Sequence, residues 1–229
     1  MIGRIGVIAS SIVTSPIPTS GLKLWADAAD FTSAGALSQW SDKSGNNNHL
    51  IQGTGASQPS SVLNVLNGKP IVRFDGIDDF FNLTTAISSV GDFEQFIVMK
   101  RTTAITQGIG LGTTSASGPY PTLQYLDGSV YISRGTGYSH IALSTTQWNY
   151  WSGRIESDVR KLRRNASELG LTSVVSARTA IDFTMLGKWA SGNHSGDIAE
   201  VIFYNRVLTT SERTQVESYI TNKWGSFPS

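Results

Sequence analysis

The 229-residue chain contains no cysteine, so disulfides, thiol nucleophiles and thiolate metal sites are all excluded. That absence leaves the redox compartment open. Charge is also scarce, at 15% of residues with a formal net charge of +1. Such a balance sets up no field for nucleic acid or for an acidic membrane surface, and neither is expected as a partner. The three histidines, His49, His140 and His194, form no His-x-x-x-His pair, and no Gly-x-Ser-x-Gly elbow occurs. Gly108-Ile-Gly110-Leu-Gly112 lacks the third spacing of a dinucleotide loop and is followed by Thr-Thr-Ser-Ala-Ser-Gly-Pro, not by a helix. Without a helix N-terminus these glycines cradle no phosphate, and they read as places where strands bend. Residues 42–48, Asp-Lys-Ser-Gly-Asn-Asn-Asn, are dense in oxygen ligands but carry no fixed carboxylate spacing. They read as an Asx-stabilised turn ahead of a calcium loop, and no metal or cofactor is expected.

What the chain does hold is organised around residues 68–83, Gly-Lys-Pro-Ile-Val-Arg-Phe-Asp-Gly-Ile-Asp-Asp-Phe-Phe-Asn-Leu. β-Branched and aromatic residues suit a mostly buried strand over 71–74. Asp75-Gly76 then makes a tight turn, and Phe80, Phe81 and Leu83 open the next strand. Elsewhere, the apolar run Phe96-Ile97-Val98-Met99 reads as a central strand. Asp127-Gly128 between two alternating segments predicts a two-residue hairpin. Residues 147–155, with Trp148, Tyr150 and Trp151, read as a strand with one buried face. The cations Arg160, Lys161, Arg163 and Arg164 read as a solvated strand face, ending in a turn at Asn165-Ala166 where Ala leaves the turn type open. Leu22, Leu24 and Ala26 alternate with Lys23, Trp25 and Asp27, and Ala199, Val201 and Phe203 share one side of a late strand. A capping box at Thr209-x-x-Glu212, an apolar face of Val216, Tyr219, Ile220 and Trp224, and Gly225 past the end predict one C-terminal helix.

Residues 1–20 stand apart. Ile2, Ile5, Val7, Ile8, Ile12 and Val13 make this stretch apolar, and Pro16 and Pro18 stiffen its end. It is too short to span a bilayer. Arg4 followed by residues 5–13 has the outline of a secretion signal. However, Gly6 and two serines interrupt the core, and no small-x-small cleavage site follows. The stretch is therefore expected to be an extended assembly arm (residues 1–20) ahead of one domain (21–229).

The segment Gly-Lys-Pro-Ile-Val-Arg-Phe-Asp-Gly-Ile-Asp-Asp resembles the matching segment of laminin-G-like, concanavalin A-like jelly-roll domains. Leu24-Trp25-Ala26-Asp27-Ala28, Trp40-Ser41-Asp42-Lys43-Ser44-Gly45 and Asn48-His49 agree upstream. Gly196-Asp197-Ile198-Ala199-Glu200-Val201, Tyr204-Asn205-Arg206, Glu212-Arg213 and Lys223-Trp224-Gly225 agree downstream. The resemblance covers nearly the whole chain. It implies an all-β, concanavalin A-like jelly-roll β-sandwich with one short C-terminal helix and an extended N-terminal arm. It implies little about function, because this fold hosts lectins, glycosidases, adhesins and structural modules.

Glycosidases of this fold place their carboxylates along one strand face as Glu-x-Asp-x-Glu or with one more spacer. Glu156-Ser-Asp158 lacks the third carboxylate, and Asp197-x-x-Glu200 has the wrong parity for one strand face. An enzyme is therefore not expected. Two classes remain. The first, which the resemblance implies because stand-alone domains of this kind recur among bacteriophage virion proteins, is a virion structural protein (a capsid decoration, fibre or tail part at the virion surface) docking onto other virion proteins through the arm as a homo-oligomer. The second is an extracellular carbohydrate-binding module. In the second case the candidate glycan contacts are Tyr120, Tyr138, His140, Trp189, Asn193 and His194, aromatic and amide residues in polar, Gly-rich stretches.

Overall fold

The computed structural model describes residues 15–88, 91–102, 108–112, 123–126, 128–134, 137–143, 145–157, 159–173, 182–189 and 192–227. In chain order the main strands are β1 (Leu22–Asp27), β2 (Ser60–Leu66), β3 (Lys69–Asp75), β4 (Phe81–Ser88), β5 (Phe93–Arg101) and β6 (Leu123–Leu126). They continue with β7 (Ser129–Arg134), β8 (Gly137–Ala142), β9 (Asn149–Glu156), β10 (Val159–Arg164), β11 (Asp182–Leu186) and β12 (Ser195–Tyr204), and helix α1 (Thr210–Trp224) follows.

A nine-stranded antiparallel sheet runs β10-β9-β5-β12-β3-β2, edged by Ser167–Glu168 and Gly35–Ala36. β12 is its spine. Its first half pairs with β3, and its second half, from Glu200 to Tyr204, pairs with β1. Two smaller sheets complete the sandwich. One orders Leu111–Gly112, β11, β4, Leu50–Ile51 and Gln39–Trp40. The other orders Thr172–Ser173, β8, β7, β6 and Gly108–Ile109. Gly110 lies between the two sheets. A Cβ there would come within 2.7 Å of Ile97 Cδ1 and 3.2 Å of Leu123 O, so a larger residue requires the Ile97 side chain to shift. The chain is thus the β-sandwich jelly roll with a C-terminal helix that the resemblance implied.

The core lies between the sheets. Phe183 on β11 packs against Phe93 and Phe203 of the large sheet, with ring centroids 5.7 and 5.2 Å apart. Phe74 meets Phe81 edge-on at 6.0 Å, and Phe81 meets Trp40. Each such pair adds directional aromatic contact to the area buried. The turn at Asp75-Gly76 has Gly76 at φ 80°, with Ser195 where a Cβ would stand.

The expected alternation in β1 does not hold. Trp25 and Asp27 are buried along with Leu22, Leu24 and Ala26, because α1 covers this part of the sheet's outer face. The helix begins with the predicted capping box, Thr209 and Glu212 each bonding the other's backbone N–H, and ends at Gly225 with φ 93°. Val216, Ile220 and Trp224 are buried beneath it. Two enclosed glutamates anchor it. Glu94 accepts from Arg213 Nε at 2.5 Å and Nη2 at 3.0 Å, from Leu208 N at 3.0 Å and from Ser152 Oγ at 3.3 Å. Glu200 accepts from Trp25 Nε1 at 2.6 Å, Tyr219 OH at 2.7 Å, Lys223 and Trp224 Nε1. Burial pushes the Glu200 carboxyl upward, with Lys223 opposing and Asp27 adding to the rise.

The chain upstream of β1 is packed from Ser15 onward. Ile17 is buried, Pro18 O accepts from Tyr204 OH at 2.9 Å, and Pro16 O accepts from Gln215 Nε2 on α1 at 3.2 Å. The apolar residues Ile2, Ile5, Val7, Ile8, Ile12 and Val13 lie outside the described residues.

Candidate functional site

The sheet formed by β6, β7 and β8 turns Leu123, Val130 and Ile132 into the core, all fully buried. Its other face holds a cluster of rings. Register places Gln124 opposite Tyr131, and Tyr131 opposite His140. The Tyr131 and His140 rings stack at 5.1 Å and 21°, and Tyr138 joins them at 5.4 Å from Tyr131 and 6.0 Å from His140. All three rings are half-buried. Beside them Gln124 is only 1% exposed, and its amide Nε2 has no hydrogen-bond partner among the described residues. His140 Nδ1 is likewise buried without one among them. A buried polar group left unpaired costs about 1–3 kcal/mol. Two of the sequence candidates, Tyr138 and His140, are thus brought together. Tyr131 and Gln124 were missed. The alternation of residues 129–134 was the available signal for Tyr131, but the pairing partner needed the register.

The other candidates fall elsewhere. Tyr120 lies outside the described residues. Trp189 and Asn193 sit on a small hairpin, Lys188–Trp189 with Gly192–Asn193. It leans on the corner after β3: Asn193 Nδ2 donates to Ile77 O at 2.6 Å, and Lys188 Nζ lies 4.4 Å over the Phe80 ring. His194 is fully buried, edge-on to Phe74 at 5.2 Å, and burial pulls its pKa to about 4. It is a neutral interior side chain, which corrects its place among surface glycan contacts.

The corner itself gathers Asp75, Asp78 and Asp79 with carboxylate oxygens within 4.8 Å of one another. It is folded inward. Asp75 Oδ1 accepts from Ile77 N at 2.7 Å and Asp78 N at 3.3 Å, Asp79 Oδ2 from Asp75 N at 2.9 Å, and Asp78 Oδ2 from Ser57 Oγ at 3.1 Å. Burial, then the neighbouring Asp75 and Asp78 charges, raise the Asp79 carboxyl. In the 42–48 corner Asp42 is equally occupied, accepting from Trp25 N, Ser44 N, Ser44 Oγ and Asn48 N at 2.7–2.9 Å. That is the turn the sequence suggested.

The parity argument about Asp197 and Glu200 is overturned. A register shift between Ile198 and Glu200 puts Asp197 opposite Lys100 and Glu200 opposite Val98, two residues apart on β5, so both carboxylates share the outer face. They still form no acid–base pair. Glu200 is sealed under α1, and Asp197 is held by Arg73 Nε at 2.7 Å and Lys100 Nζ at 3.3 Å. The basic strand β10 is partly neutralised: Arg163 meets Glu217 at 2.9 Å, and Lys161 meets Glu168 at 4.0 Å.

The chain matches no known protein-family description and no curated protein sequence. It does resemble solved structures. The binding domain of botulinum neurotoxin serotype D superposes with a TM-score of 0.60 at 12% identity, over 92% of this chain and 55% of that one. The binding domain of botulinum neurotoxin DC in complex with SialylT gives 0.53 at 9% identity, over 92% and 55%. Trypanosoma rangeli sialidase in complex with sialic acid gives 0.52 at 15% identity, over 91% and 34%. The chain therefore spans about half of the toxin binding domains and a third of the sialidase. At these identities the likeness establishes the β-rich, lectin-like fold and no more.

Proposed function

We propose that the chain is a carbohydrate-binding jelly-roll module, acting without chemistry, whose glycan lies on the face built by Tyr131, Tyr138 and His140. The observation that carries this reading is the cluster of three half-buried rings on one sheet face. Rings stack on the C–H faces of pyranoses. The fold is shared with a botulinum neurotoxin binding domain in complex with SialylT and with botulinum neurotoxin type C, whose cell entry depends on interaction with two ganglioside molecules, which supports the class of ligand. A glycan array with the intact chain tests it. Tyr138→Ala, at a half-buried position, is expected to weaken the best hit about tenfold while the fold is retained, since an aromatic contact of this kind is worth on the order of 1 kcal/mol.

A second reading concerns assembly. The expected role at a bacteriophage virion surface rests on the apolar stretch of residues 1–14. Residues 15–20 are fastened to the domain beside α1 through Pro16, Ile17 and Pro18, so the arm of this reading begins upstream of Ser15. Light scattering on the full chain and on a version starting at Ser15 tests it. The shortened chain should keep Ile17, a core residue, so that any loss of oligomers reports on the arm alone. Equal monomers for both versions would remove this reading.

A further inference from the structure

Helix α1 carries four charged side chains, and each is paired with a group of the domain beneath or before it. Glu212 meets Arg206, Arg213 meets Glu94, Glu217 meets Arg163, and Lys223 meets Asp27 and Glu200. The exposed helix positions, Thr210, Ser211, Thr214, Gln215, Ser218 and Asn222, hold only hydroxyls and amides. A helix face that meets nothing but water ordinarily carries charge. Beside this face, towards the turn at Ala166, lies a hollow of about 340 Å³. Thr214, Glu217, Ser218, Thr221 and Asn222 line it from the helix, and Tyr150 lines it from β9. That volume stands at the lower end of small-ligand sites.

Tyr150 is 2% exposed, and its ring packs edge-on to Phe227 at 5.6 Å. Asn165 takes both of its backbone groups, Oδ1 accepting from Tyr150 N and Asn165 N donating to Tyr150 O, each at 3.0 Å. The phenol hydroxyl has no hydrogen-bond partner among the described residues. It nevertheless lies in the field of Glu217 and Arg163. Burial, then the Glu217 charge, push its pKa up against Arg163, so it stays a neutral donor. A buried hydroxyl left unpaired costs about 1–3 kcal/mol. Glu217 is buried as well, and its two oxygens accept from Arg163 Nε at 2.9 Å and Nη2 at 3.3 Å. Each carboxylate oxygen has room for a second donor. Thr214 and Thr221 spend their hydroxyl protons on the helix backbone. Glu217 is the one charged residue of the lining, and Arg163 balances it. The hollow therefore presents a donor and an acceptor with no net charge.

We infer that this hollow binds a neutral sugar, one hydroxyl accepting from the Tyr150 O–H and a neighbouring hydroxyl donating to Glu217, with Ser218 and Asn222 at the rim. A sugar hydroxyl donates and accepts at once, and adjacent pairs of them suit a phenol beside a carboxylate. An anion would be set against Glu217, and a cation would have to displace Arg163 from it. The site shares no residue with the Tyr131–Tyr138–His140 face and does not rest on it, so either can fail alone.

Calorimetric titration of the intact chain with glucose and galactose, each beside its uronic acid, tests the inference. Saturable binding of at least one neutral sugar is the expected result, with its uronic acid weaker. Tyr150→Phe removes only the hydroxyl. It should weaken that sugar about tenfold, yet leave the urea midpoint of the free chain unchanged or higher, because no bond within the protein is lost. A hydroxyl that served the fold alone would lower the midpoint and leave the affinity as it was. Ser218→Arg, at an exposed helix position, fills the hollow and should also weaken the sugar at least about tenfold; it decides the matter if Tyr150→Phe does not fold. The inference is overturned if neither sugar saturates, if a uronic acid matches its neutral parent, or if either variant is folded and binds as the wild type does. Binding that survives both variants belongs to another surface, and the reading of the ring face is then untouched.

Discussion

At the scale of single residues, the turn between β10 and the edge strand Ser167–Glu168 stores strain. Asn165 and Ala166 both adopt left-handed backbone, at φ 49° and 69°. Asn tolerates this, and its Oδ1 accepts from Tyr150 N at 3.0 Å. Ala gains nothing comparable, and the left-handed region costs a residue with a Cβ about 1–2 kcal/mol. Ala166→Gly should therefore raise stability by about 1 kcal/mol, read as a higher urea midpoint at unchanged slope. An unchanged or lower midpoint would mean that the turn is not strained. The sequence showed a turn here, with a departure from Asn-Gly, but the sign of φ belongs to the folded hairpin. The same limit hid the shared face of Asp197 and Glu200. A strand read by alternation has no way to announce a bulge, and one extra residue reverses the parity of everything beyond it. His194 misled for a related reason. It lies in a polar stretch, Ser191-Gly192-Asn193-His194-Ser195-Gly196, yet enters the core beside Phe74.

At the scale of elements, α1 was the most legible part of the chain. Its capping box, its apolar spacing and its terminal glycine are all local signals, and each is found in place. What the sequence did not reveal is the consequence of its docking, which buries both faces of β1 and encloses Glu94 and Glu200. The helix start is also an electrostatic device. Arg206 first, then the Thr209 backbone N–H, hold the Glu212 carboxyl at about 2, below its ordinary value of 4.5. A depressed carboxyl stabilises the folded state above the unfolded pKa, and that contribution fades as pH falls from about 4.5 towards 2. Glu212→Gln should lower stability by up to about 1 kcal/mol at neutral pH through loss of the Arg206 ion pair, since Gln still closes the capping box. It should also flatten the acid side of the stability profile in that window. Melting curves from pH 7 to pH 2 on both proteins check this. Parallel profiles would show that the Arg206–Glu212 pair contributes nothing pH-dependent.

At the scale of the molecule, the sandwich was readable because its markers are ordered along the chain. The β3 corner, the Trp25 and Trp40 segments and the β12 segment each carry turn and strand chemistry that suits only a few arrangements. The ring face on β7 and β8 was half readable. Tyr138 and His140 stand two residues apart in one strand and so point the same way, whereas Tyr131 and Gln124 arrive from neighbouring strands. The row formed by Ser60, Arg73, Asp197 and Lys100 was not readable at all, since these residues are distant in sequence and meet only through register.

The most direct measurement is the glycan array on the intact chain, repeated with Tyr138→Ala. The expected result is a defined set of glycans bound by the wild type, weakened about tenfold by Tyr138→Ala in a variant that melts as a folded protein. A wild-type chain that binds no glycan, or one whose binding survives the loss of Tyr138 untouched, would contradict the glycan-binding face.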